Sequence, residues 1–99
     1  RDEGPIDWTL PADELAARVR ALNPWPGIWF DHDGRRIKVL AAQAGGGKGA
    51  TGEVLAGGLT VACGQGSLHV MRVQVAGRSA VDAVDFLRGY ELPAGTILS

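Results

Sequence analysis

The sequence predicts a mainly β domain, a small barrel or sandwich with one helix ahead of the strands and a second near the C-terminus. Three observations carry that prediction. From Ile28 onward, short apolar runs alternate with glycine-rich turns at regular spacing, the pattern of a small closed or stacked sheet. The 15 glycines among 99 residues point to many turns rather than to long helices. Only two stretches, one ending near Leu22 and one starting at Ser79, repeat apolar residues at helical spacing.

The elements follow in order. "RDEGP" is charged and punctuated by Gly4-Pro5, so residues 1–5 are expected to be a linker from a longer protein, with a tag-cleaved whole protein as the alternative, and the domain is expected over 6–99. Thr9 is the expected N-cap of the first helix, with Pro11 in its first turn and Asp13 and Glu14 near the positive end of the dipole. Leu15, Val19 and Leu22, beside Ala12 and Ala16, make one apolar face, and Arg18 and Arg20 fall off it. The helix should stop near Leu22, because Asn23 precedes Pro24 and is pushed out of helical geometry.

The junction "ALNPWPGIWFDHDG" then spends rigid and bulky residues on one corner. Pro24 and Pro26 fix the backbone, Gly27 lets it turn, and with Trp25 they read as a structural corner that locks helix to barrel. Trp25 and Trp29 could stack on a base, as aromatics do in single-strand binders. A tryptophan closing one end of the barrel is the preferred reading, since large aromatics dominate small cores.

Past the corner the period changes to two. Ile28–Phe30 is a short strand, and in "DHDGRR" the Asp33-Gly34 pair suits a type I′ hairpin, with His32 in the turn. "RIKVLAA" sets Ile37, Val39 and Ala41 against Lys38 and Leu40, as in a half-buried strand. Ala44 to Gly52 reads as a mobile loop. "EVLA", a Gly57-Gly58 turn, "LTVAC", a "GQG" turn and "SLHVMRVQV" complete the strands. Ser79 and Asp82 resemble a capping box opening the second helix, whose apolar side is Val81, Val84, Phe86 and Leu87 and whose C′ stop is Gly89. "LPAGTIL" adds a turn and a last short strand.

Several chemistries are argued down by residue pattern. In "GGGKGATG" Lys48 is followed by Gly49 and then by strand, where a P-loop needs Ser or Thr and a helix, so a flexible loop is the better reading. His32 and His69 have no partner at metal-ligand spacing, and no metal is expected. Cys63, the single cysteine, reads as a small buried side chain without a neighbouring base. Asp82 and Asp85 read as capping and solvated acids. No run is long and apolar enough to span a membrane and no leader is visible, so a cytoplasmic setting without a membrane partner is expected. Net charge is -1, so any nucleic-acid contact must come from a local patch.

The segments "IDWTLPADELAARVRALNPWPGIW", "DGRRIKVLAA", "GEVL", "GLTVACGQGSLHVMRVQVAGRSAVDAVDFLRG" and "LPAGTIL" come in the order found in one family. Together they cover nearly all of the chain after Gly4. They resemble the C-terminal domain of methionyl-tRNA formyltransferases. That resemblance implies an open, OB-like Greek-key β-barrel that helps hold initiator tRNA through its sugar–phosphate backbone. It also implies an N-terminal Rossmann-like formyltransferase domain, which carries the catalytic asparagine, histidine and aspartate. The formyl group would come from 10-formyltetrahydrofolate, used by the parent enzyme and not by this chain. On this reading the 99 residues bind, as a monomer, and do not catalyse.

Arg35, Arg36, Lys38, Lys48 and Arg78 are the candidate tRNA-backbone contacts, chosen for charge and loop position. Family members often carry a more basic segment where this chain has Ala76-Gly77-Arg78-Ser79. The same domain type also follows formyltransferase domains that act on nucleotide-linked sugars. A structural accessory domain of such an enzyme is therefore the alternative.

Overall fold

The computed structural model describes residues 4–22 and 27–98. They run as β1 (Gly4–Pro5), α1 (Ala12–Leu22), β2 (Ile28–His32), β3 (Arg35–Gly45), β4 (Val54–Leu55), β5 (Thr60–Ala62), β6 (Ser67–Val75), β7 (Val81–Asp82) and α2 (Ala83–Gly89). One sheet has the order β1-β2-β3-β6-β5-β4, and β7 also pairs with β6. Strands β4, β5 and β6 form a meander, while β3, joined to β4 by the long glycine loop, lies antiparallel beside β6. That arrangement is a Greek key, and the sheet is left open with β1 and β4 at its edges. The mainly β, open barrel-like expectation is met.

The first hairpin obeys the period of two. Asp33 and Gly34 take φ values of 52° and 78°, the left-handed pair a type I′ turn requires. That turn sets Ile28 opposite Val39 and Phe30 opposite Ile37, all buried. Trp29, Asp31, Arg36 and Lys38 alternate with them and therefore share the other face.

Farther along, the inward face changes hands. In β3 it passes from Ile37 and Val39 to Ala42, and in β6 from Leu68 and Val70 to Val73. The change coincides with an irregular register between Val39 and Ala42, where both strands roll as a curved sheet must. Ala42, not Ala41, is thus the alanine packed against the core.

Helix α1 lays Ala12, Leu15, Ala16 and Val19 on this surface, the face its spacing predicts. Leu15 and Phe30 are fully buried, and each such side chain contributes roughly 1.5–3 kcal/mol. Trp8, 4% exposed, is the tryptophan of the core and packs 6.1 Å from the Phe30 ring. Trp29 is only half-buried and lies on the outer face, so it does not fill the core as expected, and the same expectation for Trp25 lies outside the described residues. Pro24, Trp25 and Pro26 of the expected corner lie outside the described residues. Gly27 is described: its N–H donates to the Leu22 carbonyl at 2.7 Å, and its φ is +84°.

Other local expectations give way to tertiary pairing. Gly4 and Pro5, expected as linker, pair in parallel with Ile28 and Trp29. Thr9 does not cap α1: its amide donates to the Asp7 carboxylate, while the Pro11 carbonyl accepts from Glu14 and Leu15. Ala44 and Gly45, expected as loop, continue β3 opposite Leu68 and Ser67. The capping box at Ser79 and Asp82 does not form, because Val81 and Asp82 pair with Val73 and Arg72 and the helix begins one residue later. Gly89 is the last helical residue, and the extended cap is Tyr90. The last strand reduces to a bridge between Ile97 and Glu53. No described helix is long and apolar enough to cross a membrane.

Candidate nucleic-acid interface

The tight turn at Asp33-Gly34 decides which basic side chains meet. It places Lys38 opposite Trp29 and Arg36 opposite Asp31, and β6 adds Gln74 beside Lys38. The Ala76 amide donates to the Arg36 carbonyl at 2.9 Å, so the β6–β7 connection is tied to the same hairpin end. In that connection the Arg78 amide donates to the Val75 carbonyl at 2.9 Å, and Gln74 Nε2 donates to the Arg78 carbonyl at 2.8 Å. Two turns from distant parts of the chain therefore stand side by side.

Between them lies an open cleft of about 640 Å³, lined by Asp31, Gly34, Arg35, Arg36, Val75, Ala76 and Arg78. Arg36 is its wall on the outer face. Beyond it is a second groove of about 280 Å³, lined by Trp29, Arg36, Lys38, Gln74, Ala76 and Gly77. Arg35 alternates with Arg36 and so leaves the hairpin on the other side, where its guanidinium lies 5.9 Å from the Tyr90 ring centroid. Arg35 and Arg78 also border a third recess, with Ser79, Phe86 and Tyr90. Burial raises the Tyr90 ionisation above its ordinary range, with Asp33 adding to the effect and Arg35 opposing it.

Of the five candidate contacts, the structure gathers four. Arg35, Arg36 and Arg78 share the large cleft, and Lys38 flanks the adjoining groove. Lys48 does not join them, because it follows the far end of β3, whose 11 residues begin at Arg35. The gathered charges differ in their state. Arg36 is engaged by Asp31, at 3.1 Å, whereas neither Arg35 nor Arg78 has a carboxylate within ion-pair reach among the described residues. Arg72 and Arg88 are neutralised by Asp82 and Asp85, at 2.8 and 2.9 Å. A locally positive surface thus exists on a chain of net charge -1. Such a surface suits a polyanion, since guanidinium groups take phosphate oxygens in a bidentate way.

The other described titratable groups with resolved partners are local pairs. His32 Nδ1 lies 2.8 Å from the Tyr90 hydroxyl, and His69 Nδ1 lies 2.8 Å from the Thr60 hydroxyl. Cys63 is buried, as expected, and its thiol is pushed up to about 11 by desolvation. Among the described residues no cluster of His, Cys, Asp and Glu could hold a metal ion.

Asp31, Trp29 and Gln74 line these clefts beside the basic side chains, and charge counting misses them. Once the Asp33-Gly34 turn is accepted, the pairing of Asp31 with Arg36 and of Trp29 with Lys38 follows from the sequence. Tyr90 has no such signal, since its partner His32 is 58 positions away.

The family model described as "Formyl transferase, C-terminal domain" matches residues 1–91. The methionyl-tRNA formyltransferase of Paramagnetospirillum magneticum is 50% identical over 98 residues, 99% of this chain and 32% of that protein. That of Ruegeria pomeroyi is 46% identical over 96 residues, 97% of this chain and 32% of that protein. That of Methylobacterium sp. is 50% identical over 102 residues, 99% of this chain and 33% of that protein. The chain spans about a third of the length of the curated relatives it matches.

Proposed function

The chain belongs to the formyl transferase C-terminal domain family, and on that premise we propose that it is the tRNA-holding domain of a methionyl-tRNA formyltransferase. It grips the sugar–phosphate backbone of initiator tRNA, as a monomer, while an N-terminal formyltransferase domain of the same protein carries out the transfer in the cytoplasm. The observation that carries this reading is the pair of guanidinium groups, Arg35 and Arg78, that have no carboxylate partner among the described residues and share one cleft with Arg36. The relatives' shared name favours tRNA over the nucleotide-linked sugar alternative.

The large cleft does not fit the formyl donor, 10-formyltetrahydrofolate, since it is open and lined by Arg35, Arg36 and Arg78 with Asp31 rather than enclosed by apolar walls.

A backbone-reading surface gains affinity by releasing condensed counterions, so binding must weaken steeply as salt rises. The test is a titration of labelled initiator tRNA with the 99-residue chain at several salt concentrations, with Arg35→Ala/Arg78→Ala as the variant. Saturable binding is expected, with a salt slope that falls by about two in the double variant. Absence of binding at low salt, or a slope the double variant leaves unchanged, overturns the reading.

A further inference from the structure

The outer face of the first hairpin carries an arrangement that phosphate binding does not call for. The Arg36 guanidinium carbon lies 4.4 Å from the centroid of the Trp29 ring. Asp31 holds its edge, with Nε donating to Oδ1 at 3.1 Å and Nη2 to Oδ2 at 3.4 Å. Trp29 and Asp31 are two apart on β2, and Arg36 stands opposite Asp31, so strand geometry alone brings the three together. An exposed ion pair of this kind adds little stability. Its effect is geometric: a long side chain that would otherwise sample many rotamers is held on an indole by a carboxylate at its rim. The Arg36 side chain nevertheless remains 54% exposed, so its face away from Trp29 is open.

That open face borders the groove of about 280 Å³ lined by Lys38, Gln74, Ala76 and Gly77. Gln74 spends one amide proton on the Arg78 carbonyl, which leaves its other amide proton and its oxygen for a ligand edge. Lys38 has no carboxylate partner among the described residues, and its stem packs against Gly27, where a Cβ would come within 2.9 Å of Lys38 Cε. The groove therefore has a flat cationic wall and two hydrogen-bonding side chains that converge from neighbouring strands. Unstacked RNA bases are taken up in this way, on a guanidinium plane or aromatic ring with polar groups at the base edge.

We infer that Arg36, held on Trp29 by Asp31, is a stacking platform for one unpaired nucleobase of the bound RNA, with Lys38 and Gln74 at its edge. The inference rests on the RNA-binding reading above but adds a base site to a backbone surface. Asp31 acts as a positioning residue, since it reaches the base only through Arg36.

The test uses the 99-residue chain and a short RNA carrying 2-aminopurine at its centre, either single-stranded or annealed to its complement. With the single strand, binding should raise the 2-aminopurine emission, excited beyond tryptophan absorption, because the base leaves its quenching neighbours for a guanidinium that does not quench it. The duplex should bind without that rise. Arg36→Lys keeps the charge and removes the plane. It should retain the salt slope but lose the rise in emission and about tenfold in affinity for the single strand. Asp31→Asn removes a repelling charge and the clamp, so duplex affinity should increase while the emission rise shrinks. A purely electrostatic role for Asp31 would strengthen binding to both RNAs and leave the emission rise intact, which overturns the proposal. An emission rise that survives Arg36→Lys overturns it as well. Steeply salt-dependent duplex binding with no change in single-strand emission removes the base platform alone. No binding of either RNA removes the backbone reading with it.

Discussion

Tyr90, just past the end of α2, closes on His32 at the end of β2: its hydroxyl lies 2.9 Å from the His32 carbonyl oxygen and 2.8 Å from the ring Nδ1. A hydroxyl has one proton. It satisfies both contacts by donating to the carbonyl and accepting from the Nδ1–H of His32. The Tyr90 ring also stacks on Phe86, with centroids 4.8 Å apart. These contacts tie the second helix to the hairpin that carries Arg35 and Arg36.

Tyr90→Phe keeps the stack and removes the tie. The expected cost is about 1 kcal/mol, a fall of roughly 4–8 °C in Tm for a domain of this size. Thermal melts check it, and an unchanged Tm would mean that water replaces both bonds. The pH dependence has a definite sign. Burial raises the Tyr90 ionisation, so on alkalinisation the unfolded chain loses its phenolic proton first. The contribution is intact below about pH 10 and is lost as pH rises through the higher folded value. Tyr90→Phe should flatten that part of the stability curve.

Cys63 gives a second alkaline signature. Its thiol is pushed up to about 11 by burial, so its stability contribution is complete below the unfolded value of about 8.5–9 and fades as pH rises toward 11. Since the thiolate is the reactive form, a disulfide reagent at about pH 8 should leave the native chain untouched and titrate one thiol after denaturation. Rapid labelling of the native chain would contradict the buried, protonated state.

How much of this was legible beforehand depends on how locally each feature is determined. The Asp33-Gly34 turn was readable, and with it the register that sets Arg36 against Asp31 and Trp29 against Lys38. The apolar face of α1 was readable for the same reason, since its spacing is its own evidence. The separation of Lys48 from Arg35 was not, because it depends on how far β3 continues into a glycine-rich stretch, and pairing with Leu68 and Ser67 decides that. The capping box at Ser79 was outcompeted by β6, a tertiary partner that local propensity does not weigh. Trp8 carries no local signal that sets it apart from the more conspicuous Trp25 and Trp29, yet it fills the space next to Phe30.

The segment around Gly64 shows how closely backbone approaches backbone. Its amide donates to the Trp8 carbonyl at 2.9 Å, and a Cβ there would collide with the Thr9 carbonyl oxygen. A backbone oxygen cannot swing aside as a side-chain tip does. Gly64→Ala should therefore cost about 2 kcal/mol or more. Gly46, where an added Cβ meets nothing within 4 Å, is the control: Gly46→Ala should be neutral or stabilise by about 0.4–1 kcal/mol. Urea denaturation of both variants checks the contrast, and equal midpoints would mean that the Thr9 segment yields.

Ser79 offers the most direct gain-of-function test of the positive cleft. It is exposed and borders the recess that Arg35 and Arg78 also line. Asp85 lines the same recess, but it is already engaged by Arg88 at 2.9 Å. A lysine at position 79 would therefore add its charge beside Arg35 and Arg78, which have no carboxylate partner among the described residues, rather than cancel a free acid. Ser79→Lys should raise tRNA affinity at low salt and steepen the salt slope by about one. A lysine in place of Thr51, in the turn beyond the glycine loop at the far end of β3, adds the same net charge away from the cleft and should leave the slope nearly unchanged. Equal effects from the two substitutions would mean that net charge, not the Arg35–Arg78 cleft, governs binding.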